Sequence, residues 1–196
     1  MTDIHEARSD HGGAHYIQLN EGARWYFGRC HESAKELKAR PLVEAAALIN
    51  RFTGHTGGTP FDLVTHSLHV YEVVKALGGT TEEMHTAGGH DLHEVFVGDV
   101  SRPLKLALRD LCQDCDGRSC FDRLEDDAAG ALANRFGWQW PHPAIVKTAD
   151  AMVLGWEAEF VFGEGTARDW GLFPTTVPRP DKDVLRLTRI INGQHS

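Results

Sequence analysis

The sequence predicts a mainly α-helical protein, one domain of helices preceded by a short β-hairpin. Three observations support this fold class. The chain of 196 residues is long enough for one well-buried core. Apolar residues recur three or four positions apart along most of it, which is the spacing of one face of a helix. Strand and helix patterns do not alternate, so a parallel sheet is not expected.

The N-terminal part of the chain carries the only strand pattern. Residues 1–13 are expected to be flexible or loosely attached. Residues 15–27 alternate apolar and polar side chains around Asn20, Glu21 and Gly22, which predicts a short hairpin with its turn at these three residues.

Helical patterns dominate from residue 41 onward. Pro41 suits the first turn of a helix, and a glycine pair at 78–79 ends the next helix. The threonine pair before Glu82 and Glu83 fits the start of a third helix, which Gly98 ends. The predicted helices span residues 41–52, 61–78, 81–97, 103–112, 118–136, 142–162 and 181–192.

Composition excludes several classes of function. The formal charge of −8 argues against a protein that coats a nucleic-acid polymer, because that role needs a broad basic face. No apolar run approaches the roughly 18 residues of a membrane span. The first residues contain no apolar signal-peptide core, so a cytoplasmic protein is expected.

Three cysteines are spaced in a way that leaves two interpretations open. Cys112, Cys115 and Cys120 could belong to a structural zinc site, but a fourth ligand is missing nearby. The alternative is an exposed loop whose thiols remain reduced in a reducing compartment.

The segment HDLHEVFVGDV at 90–100 gathers ionisable side chains on a short stretch of predicted helix. His90, Asp91 and Glu94 project to one side of such a helix, whereas His93 points elsewhere. His66 and Asp150 lie on other predicted helices whose remaining faces are apolar. Each group alone is more often paired or solvated than functional, but one divalent metal ion would explain all of them together.

The order of these motifs resembles the HD-domain metal-dependent phosphohydrolases, specifically their 5′-deoxynucleotidase-like branch. The resemblance covers about residues 41–160. It rests on LINRF at 48–52, THSLHV at 65–70, HDLHEVFVGDVSRPLK at 90–105 and VKTAD at 146–150. The hairpin, RFTGHT and the stretch FDRLEDD…FGW…P are similar to phage- and prophage-borne members, among which are small dATP triphosphohydrolases.

The resemblance implies a set of roles for individual residues and a helical HD-domain bundle as the fold. The metal ligands would be His66, His90, Asp91 and Asp150. Glu94 would orient or deprotonate the attacking water, and Asp99 would support that network or handle the proton of the leaving group. The phosphate and sugar-base contacts would come from Arg51, Phe52, Lys105 and Lys147.

Several of these roles have plainer alternatives. Asp99 could cap the next helix, and Phe52 could simply pack in the core. Lys105 and Lys147 could be solvated. One position also departs from the family pattern, because Thr65 replaces the acid that usually precedes the first histidine.

The function expected from the resemblance is hydrolysis of (2′-deoxy)nucleoside 5′-phosphates by water that a divalent ion activates. Mn, Co, Zn, Fe, Ni and Mg all suit mixed imidazole and carboxylate ligands. Release of triphosphate from a deoxynucleoside triphosphate is a close alternative. A nucleotide sensor without turnover is an alternative of another class, although it has no need for Glu94. The substrate would be a small nucleotide, and homo-oligomers are compatible with tryptophans that exceed the needs of the core.

Overall fold

The computed structural model describes residues 15–112 and 119–195. The segment 1–13, for which flexibility was predicted, lies outside the described residues. Cys115 lies outside them too, so the candidate zinc site of the three cysteines stays a prediction. Within the described part of the chain, no helix is both long enough and apolar enough to cross a membrane.

The predicted hairpin is confirmed. Strand β1 (Tyr16–Gln18) pairs antiparallel with β2 (Arg24–Tyr26), with Tyr16 opposite Tyr26, and the turn is a short 3-10 helix at Asn20–Gly22. Trp25 is fully buried, and its ring stacks on Phe96 with 3.8 Å between ring centroids. This contact anchors the hairpin against the segment that carries His90 and Asp91.

The rest of the fold is helical, as the apolar periodicity predicted. Two short helices, α1 and α9, were not predicted. The helices are α1 (Cys30–Ala34), α2 (Ala39–Ala46), α3 (Leu63–Ala76), α4 (Thr81–Gly89), α5 (Glu94–Val97), α6 (Arg102–Leu111), α7 (Cys120–Phe136), α8 (Ala144–Phe162), α9 (Thr166–Asp169) and α10 (Val184–Ile191).

Helix α3 is the central element, and it packs against α4 and α8. Most of its side chains are buried, and Asp62 caps its start by accepting a hydrogen bond from the backbone N–H of Thr65 at 3.1 Å. Helix α10 closes the bundle against α2, α3 and α4. The polar residues His66 and His69 are therefore held inside an apolar core.

Two predicted helices differ from the observed ones at places that concern the site. The helix predicted over 41–52 ends at Ala46, and residues 50–54 form a bridge from Asn50 to Asp62 and a 3-10 turn at Phe52–Gly54. The continuous helix predicted over 81–97 is wrong. It is broken at residues 90–93, where the backbone turns between α4 and α5.

Candidate metal centre

Four side chains from three parts of the chain converge in the middle of the bundle. His66 comes from α3, Asp150 comes from α8, and His90 and Asp91 come from the turn after α4. One ligand atom from each of these residues lies within 4.8 Å of the other three. These are the four residues that the resemblance assigned to a metal ion, and the geometry could hold one. His93 points away, as predicted, with its Nε2 3.9 Å from Oε1 of Glu125.

The two imidazoles are oriented as metal ligands require. Nδ1 of His66 donates to Oε1 of Glu157 at 3.1 Å, and Nδ1 of His90 donates to the carbonyl oxygen of Ala87 at 2.8 Å. These bonds place the proton on Nδ1, so the lone pair of each Nε2 faces the other ligands. Both Nε2 atoms are buried and lack a well-aligned hydrogen-bond partner among the described residues. The residues therefore fit a divalent cation.

Carboxylates give this centre a strongly negative potential. Oδ2 of Asp91 lies 3.4 Å from Nε2 of His66 and 3.3 Å from Nε2 of His90, and Oδ1 of Asp150 lies 3.2 Å from Nε2 of His66. Burial lowers the pKa of His90, but Asp91 and Asp150 outweigh it and raise that pKa to about 9. The site attracts positive charge, which a divalent cation supplies without protonating the imidazoles.

The backbone next to His90 is tightly packed where the helix breaks. A side chain at Gly89 would meet the ring of Trp138, since a Cβ there would lie 2.5 Å from a ring carbon. Gly89 thus lets α4 approach Trp138 closely. The carbonyl of His90, which the break releases from the helix, accepts a hydrogen bond from Nε2 of His142 at 3.1 Å. Gly98, with a φ of 84°, then ends α5.

Glu94 lies beside the four ligands at the start of α5. Its side chain is buried, and its Oε2 has no hydrogen-bond donor among residues 15–112 and 119–195. Burial raises the pKa of Glu94 well above its ordinary value, and the charges of Asp91 and Asp99 raise it further. A buried carboxylate without a partner is costly unless it serves a ligand or a reaction.

Asp99 belongs to the same electrostatic environment. Burial raises the pKa of Asp99, and the charge of Arg51 opposes this rise. The residue at the N-cap of α6 is Ser101, so the alternative that Asp99 caps this helix is wrong. Asp99 is therefore positioned near the acidic centre rather than used to start a helix.

Arg51 is buried at the edge of the centre and bonded to two acids. Its Nε donates to Oε2 of Glu157 at 3.0 Å, and its Nη1 donates to Oδ2 of Asp91 at 3.5 Å. Glu157, which was not among the predicted site residues, is 1% exposed and touches both Arg51 and His66. Its spacing gave a usable signal, because Glu157 lies two turns after Asp150 on the same face of an otherwise apolar helix.

The two predicted lysines occupy different environments. Nζ of Lys105 lies 2.7 Å from Oε1 of Glu125, and its side chain is largely buried. The alternative that Lys105 is merely solvated is therefore wrong. Lys147 is exposed on α8, one turn before Asp150.

Phe52 lies in a strained turn next to Arg51. Phe52 and Thr53 have φ values of 56° and 50°, in the left-handed region that costs such side chains about 1–3 kcal/mol each. Arg51 N–H holds the turn in place by donating to the carbonyl of Phe61 at 2.7 Å. The ring of Phe52 is partly exposed and meets the ring of Phe162 edge to face, with 5.5 Å between centroids. The ring of Phe52 therefore packs on neighbouring side chains and also exposes part of its surface beside the candidate metal centre.

Comparison with known proteins adds no assignment to this geometry. Neither a scan against protein-family models nor a search of curated proteins found a match for this chain.

Proposed function

We propose that this chain is a divalent-metal-dependent phosphohydrolase of the HD-domain type, acting on 2′-deoxynucleoside 5′-phosphates. One observation carries the proposal. Four ligand atoms converge within 4.8 Å, and beside them lies the buried side chain of Glu94, whose Oε2 has no hydrogen-bond partner among the described residues. A structural zinc site would be closed and usually rich in cysteine, whereas this set is two imidazoles and two carboxylates.

Each residue contributes a defined step to the hydrolysis. His66, His90, Asp91 and Asp150 would hold a divalent cation, which would supply the activation of water for attack near neutral pH. Glu94 accepts the proton of the attacking water, since its buried Oε2 has no other hydrogen-bond partner among the described residues. Arg51 and Lys105 offset the negative charge of the phosphoryl oxygens, and Asp99 handles the proton of the leaving alcohol. A nucleotide sensor has no use for Glu94 as a proton acceptor, which favours the enzyme.

The pairing of the cations favours a monophosphate substrate over a triphosphate. Of the cations assigned to phosphate binding, Arg51 is bonded to Glu157 and Asp91, and Lys105 is paired with Glu125. Lys147 is left as the exposed cation of this set. Arg51 and Lys105 can still donate N–H groups to one phosphoryl group, but their charges are shared with these acids, so they offset the additional negative charge of a triphosphate less well.

Product analysis tests the proposal. The protein, loaded with Mn²⁺ or Co²⁺, is incubated with deoxynucleoside monophosphates and triphosphates, and the products are separated by chromatography. We expect inorganic phosphate and deoxynucleoside from the monophosphates. Release of triphosphate would instead support the second reaction, and Asp91→Ala provides the control for contaminating phosphatases. Absence of hydrolysis with every metal and substrate would contradict the proposal.

A further inference from the structure

Glu157 holds two functional side chains with one carboxylate. It projects from α8 into the core, where its Oε1 accepts from Nδ1 of His66 at 3.1 Å. Its Oε2 accepts from Nε of Arg51 at 3.0 Å. The three residues belong to three separate parts of the chain, and Glu157 is 1% exposed. Each oxygen thus serves a different donor.

The buried charges around Glu157 make this arrangement rigid. An isolated carboxylate in the core is strongly unfavourable, whereas one between a guanidinium and an imidazole N–H is compensated. Both oxygens of Glu157 accept hydrogen bonds from N–H donors, as an ionised carboxylate does. Glu157 is therefore an anion that can orient both donors.

Thr65, the residue before His66, is bonded elsewhere, so the orientation of the His66 ring depends on Glu157. The hydroxyl of Thr65 donates to Oδ2 of Asp62 at 3.0 Å, within the capping interaction at the start of α3. Glu157 is the side chain that the structure shows bonded to Nδ1 of His66. It approaches from the opposite helix, 91 positions further along the sequence.

We propose that Glu157 is a positioning residue with two simultaneous tasks. It fixes the ring of His66 so that Nε2 faces the metal, and it fixes Arg51 so that the far edge of the guanidinium faces the phosphoryl group. Outer partners of metal-bound histidines have the first effect, and a bonded guanidinium presents its remaining N–H groups in a fixed plane. The second task rests on the proposed phosphohydrolase function, whereas the first does not.

The Glu157→Gln variant separates these tasks from simple packing. Glutamine has nearly the same shape but only one accepting oxygen, and its NH₂ group would face the second donor. One of the two contacts must therefore break. Glu164→Gln, an exposed position after α8, provides the matched control for the change of charge.

Three measurements give the outcome, and none of them requires turnover. They are the Kd for Zn²⁺ by competition titration, the chemical shift of the His66 Nδ1–H proton in the Zn²⁺-loaded protein by NMR, and the affinity of that protein for inorganic phosphate by calorimetry. We expect Glu157→Gln to weaken Zn²⁺ binding about 10–100-fold and move the His66 signal, or to weaken phosphate binding about tenfold or more. Values equal to those of Glu164→Gln in all three measurements would overturn the proposal.

If Glu157→Gln does not fold, a second variant tests the proposal. Glu157→Asp keeps the charge that compensates Arg51, but its shorter side chain does not reach both donors. The same effects are expected, and metal binding, NMR shift and phosphate binding equal to those of the unsubstituted protein would again overturn the proposal. If these effects are observed but the unsubstituted protein hydrolyses no nucleotide, the proposed role of Glu157 at His66 stands and the proposed phosphohydrolase function is rejected.

Discussion

Nε2 of His66 lies 3.2 Å from Oδ1 of Asp150, and this contact joins α3 to α8 through polar groups in a bundle of largely apolar contacts. The packing of the apolar faces fixes the two helices, so the positions of the two ligands follow from the core. Ligands held in this way need little reorganisation when a cation binds. A metal site of this kind should therefore stabilise the fold as well as bind the ion.

Metal binding should raise thermal stability through the four ligands. At a Zn²⁺ concentration 100 times the Kd, the free energy of unfolding should rise by about 2.7 kcal/mol. For a chain of this length, this corresponds to an increase in Tm of roughly 5–10 °C, measured by calorimetry with and without a chelator. Asp91→Ala should abolish the increase, whereas Asp181→Ala, at an exposed position, should retain it. A full increase in Asp91→Ala would contradict the ligand assignment.

Glu94→Gln should separate chemistry from metal binding. The amide cannot accept the proton of the attacking water, so kcat should fall about 10²–10⁴-fold, while the Zn²⁺ stoichiometry stays the same. Steady-state kinetics and metal analysis of one preparation measure both, with Glu164→Gln as the control. Full turnover in Glu94→Gln would contradict the proposed role of Glu94 as the base. Loss of metal would instead make Glu94 a ligand.

Much of the fold and of the ligand set could be predicted from the sequence. The hairpin and seven helical segments follow from apolar periodicity and from capping residues, such as Thr80, which accepts a hydrogen bond from the N–H of Glu83 at 3.2 Å. His66 and Asp150 were candidates because polar side chains on apolar helix faces need a partner in the core, and the family resemblance implied the full set with His90 and Asp91. Their convergence is a property of helix packing, and here the structure agrees with the expectation.

The features that could not be predicted depend on contacts between distant elements. Helical periodicity continues through residues 90–93, but the chain turns there, where Gly89 lies against Trp138 and the carbonyl oxygen of His90 lies 3.1 Å from Nε2 of His142. Glu157 was missed although it lies two turns after Asp150, because Glu157 and Glu159 together near the end of α8 are typical of a solvent-exposed acidic helix end. The contacts of Glu157 with His66 and Arg51 can be recognised only in the folded structure, where α3, α8 and the turn at 50–54 come together.

Phe52→Ala should weaken binding only when the substrate carries a base. Stacking between a base and an aromatic ring contributes about 1–3 kcal/mol, so KM for a deoxynucleoside monophosphate should rise roughly tenfold. The KM for deoxyribose 5-phosphate, which has the same phosphoester and sugar without a base, should stay the same. Phe173→Ala, at a position 83% exposed, is the control. Equal losses on both substrates would make Phe52 a packing residue.

Asp122 should make stability depend on acidic pH. It accepts two hydrogen bonds from Arg109, at 2.9 and 3.0 Å, and one from the N–H of Ser119 at 2.8 Å, and these bonds lower its pKa. A carboxyl whose pKa is lowered by folding stabilises the protein above its unfolded pKa of about 3.9, and this contribution is lost as the pH falls further.

Asp122→Asn should therefore lower the free energy of unfolding at pH 7 by about 1 kcal/mol, and the difference should shrink as the pH falls below about 4. Urea unfolding at a series of pH values measures this. Asp110→Asn, at an exposed position on α6, should show no comparable trend. A difference between Asp122→Asn and the unsubstituted protein that is constant with pH would contradict the role of this ion pair.

Arg51 should matter for folding as well as for substrate binding. Arg51 compensates the buried charge of Glu157, with 3.0 Å between Nε of Arg51 and Oε2 of Glu157. Removing one partner of a buried ion pair costs about 3–5 kcal/mol. Arg51→Met should therefore show a loss of this size in urea unfolding, and Arg51→Met/Glu157→Gln should recover part of it because the uncompensated charge is gone. The affinity for phosphate should stay low in both variants. A double variant less stable than Arg51→Met would show that the charge of Glu157 does not depend on Arg51.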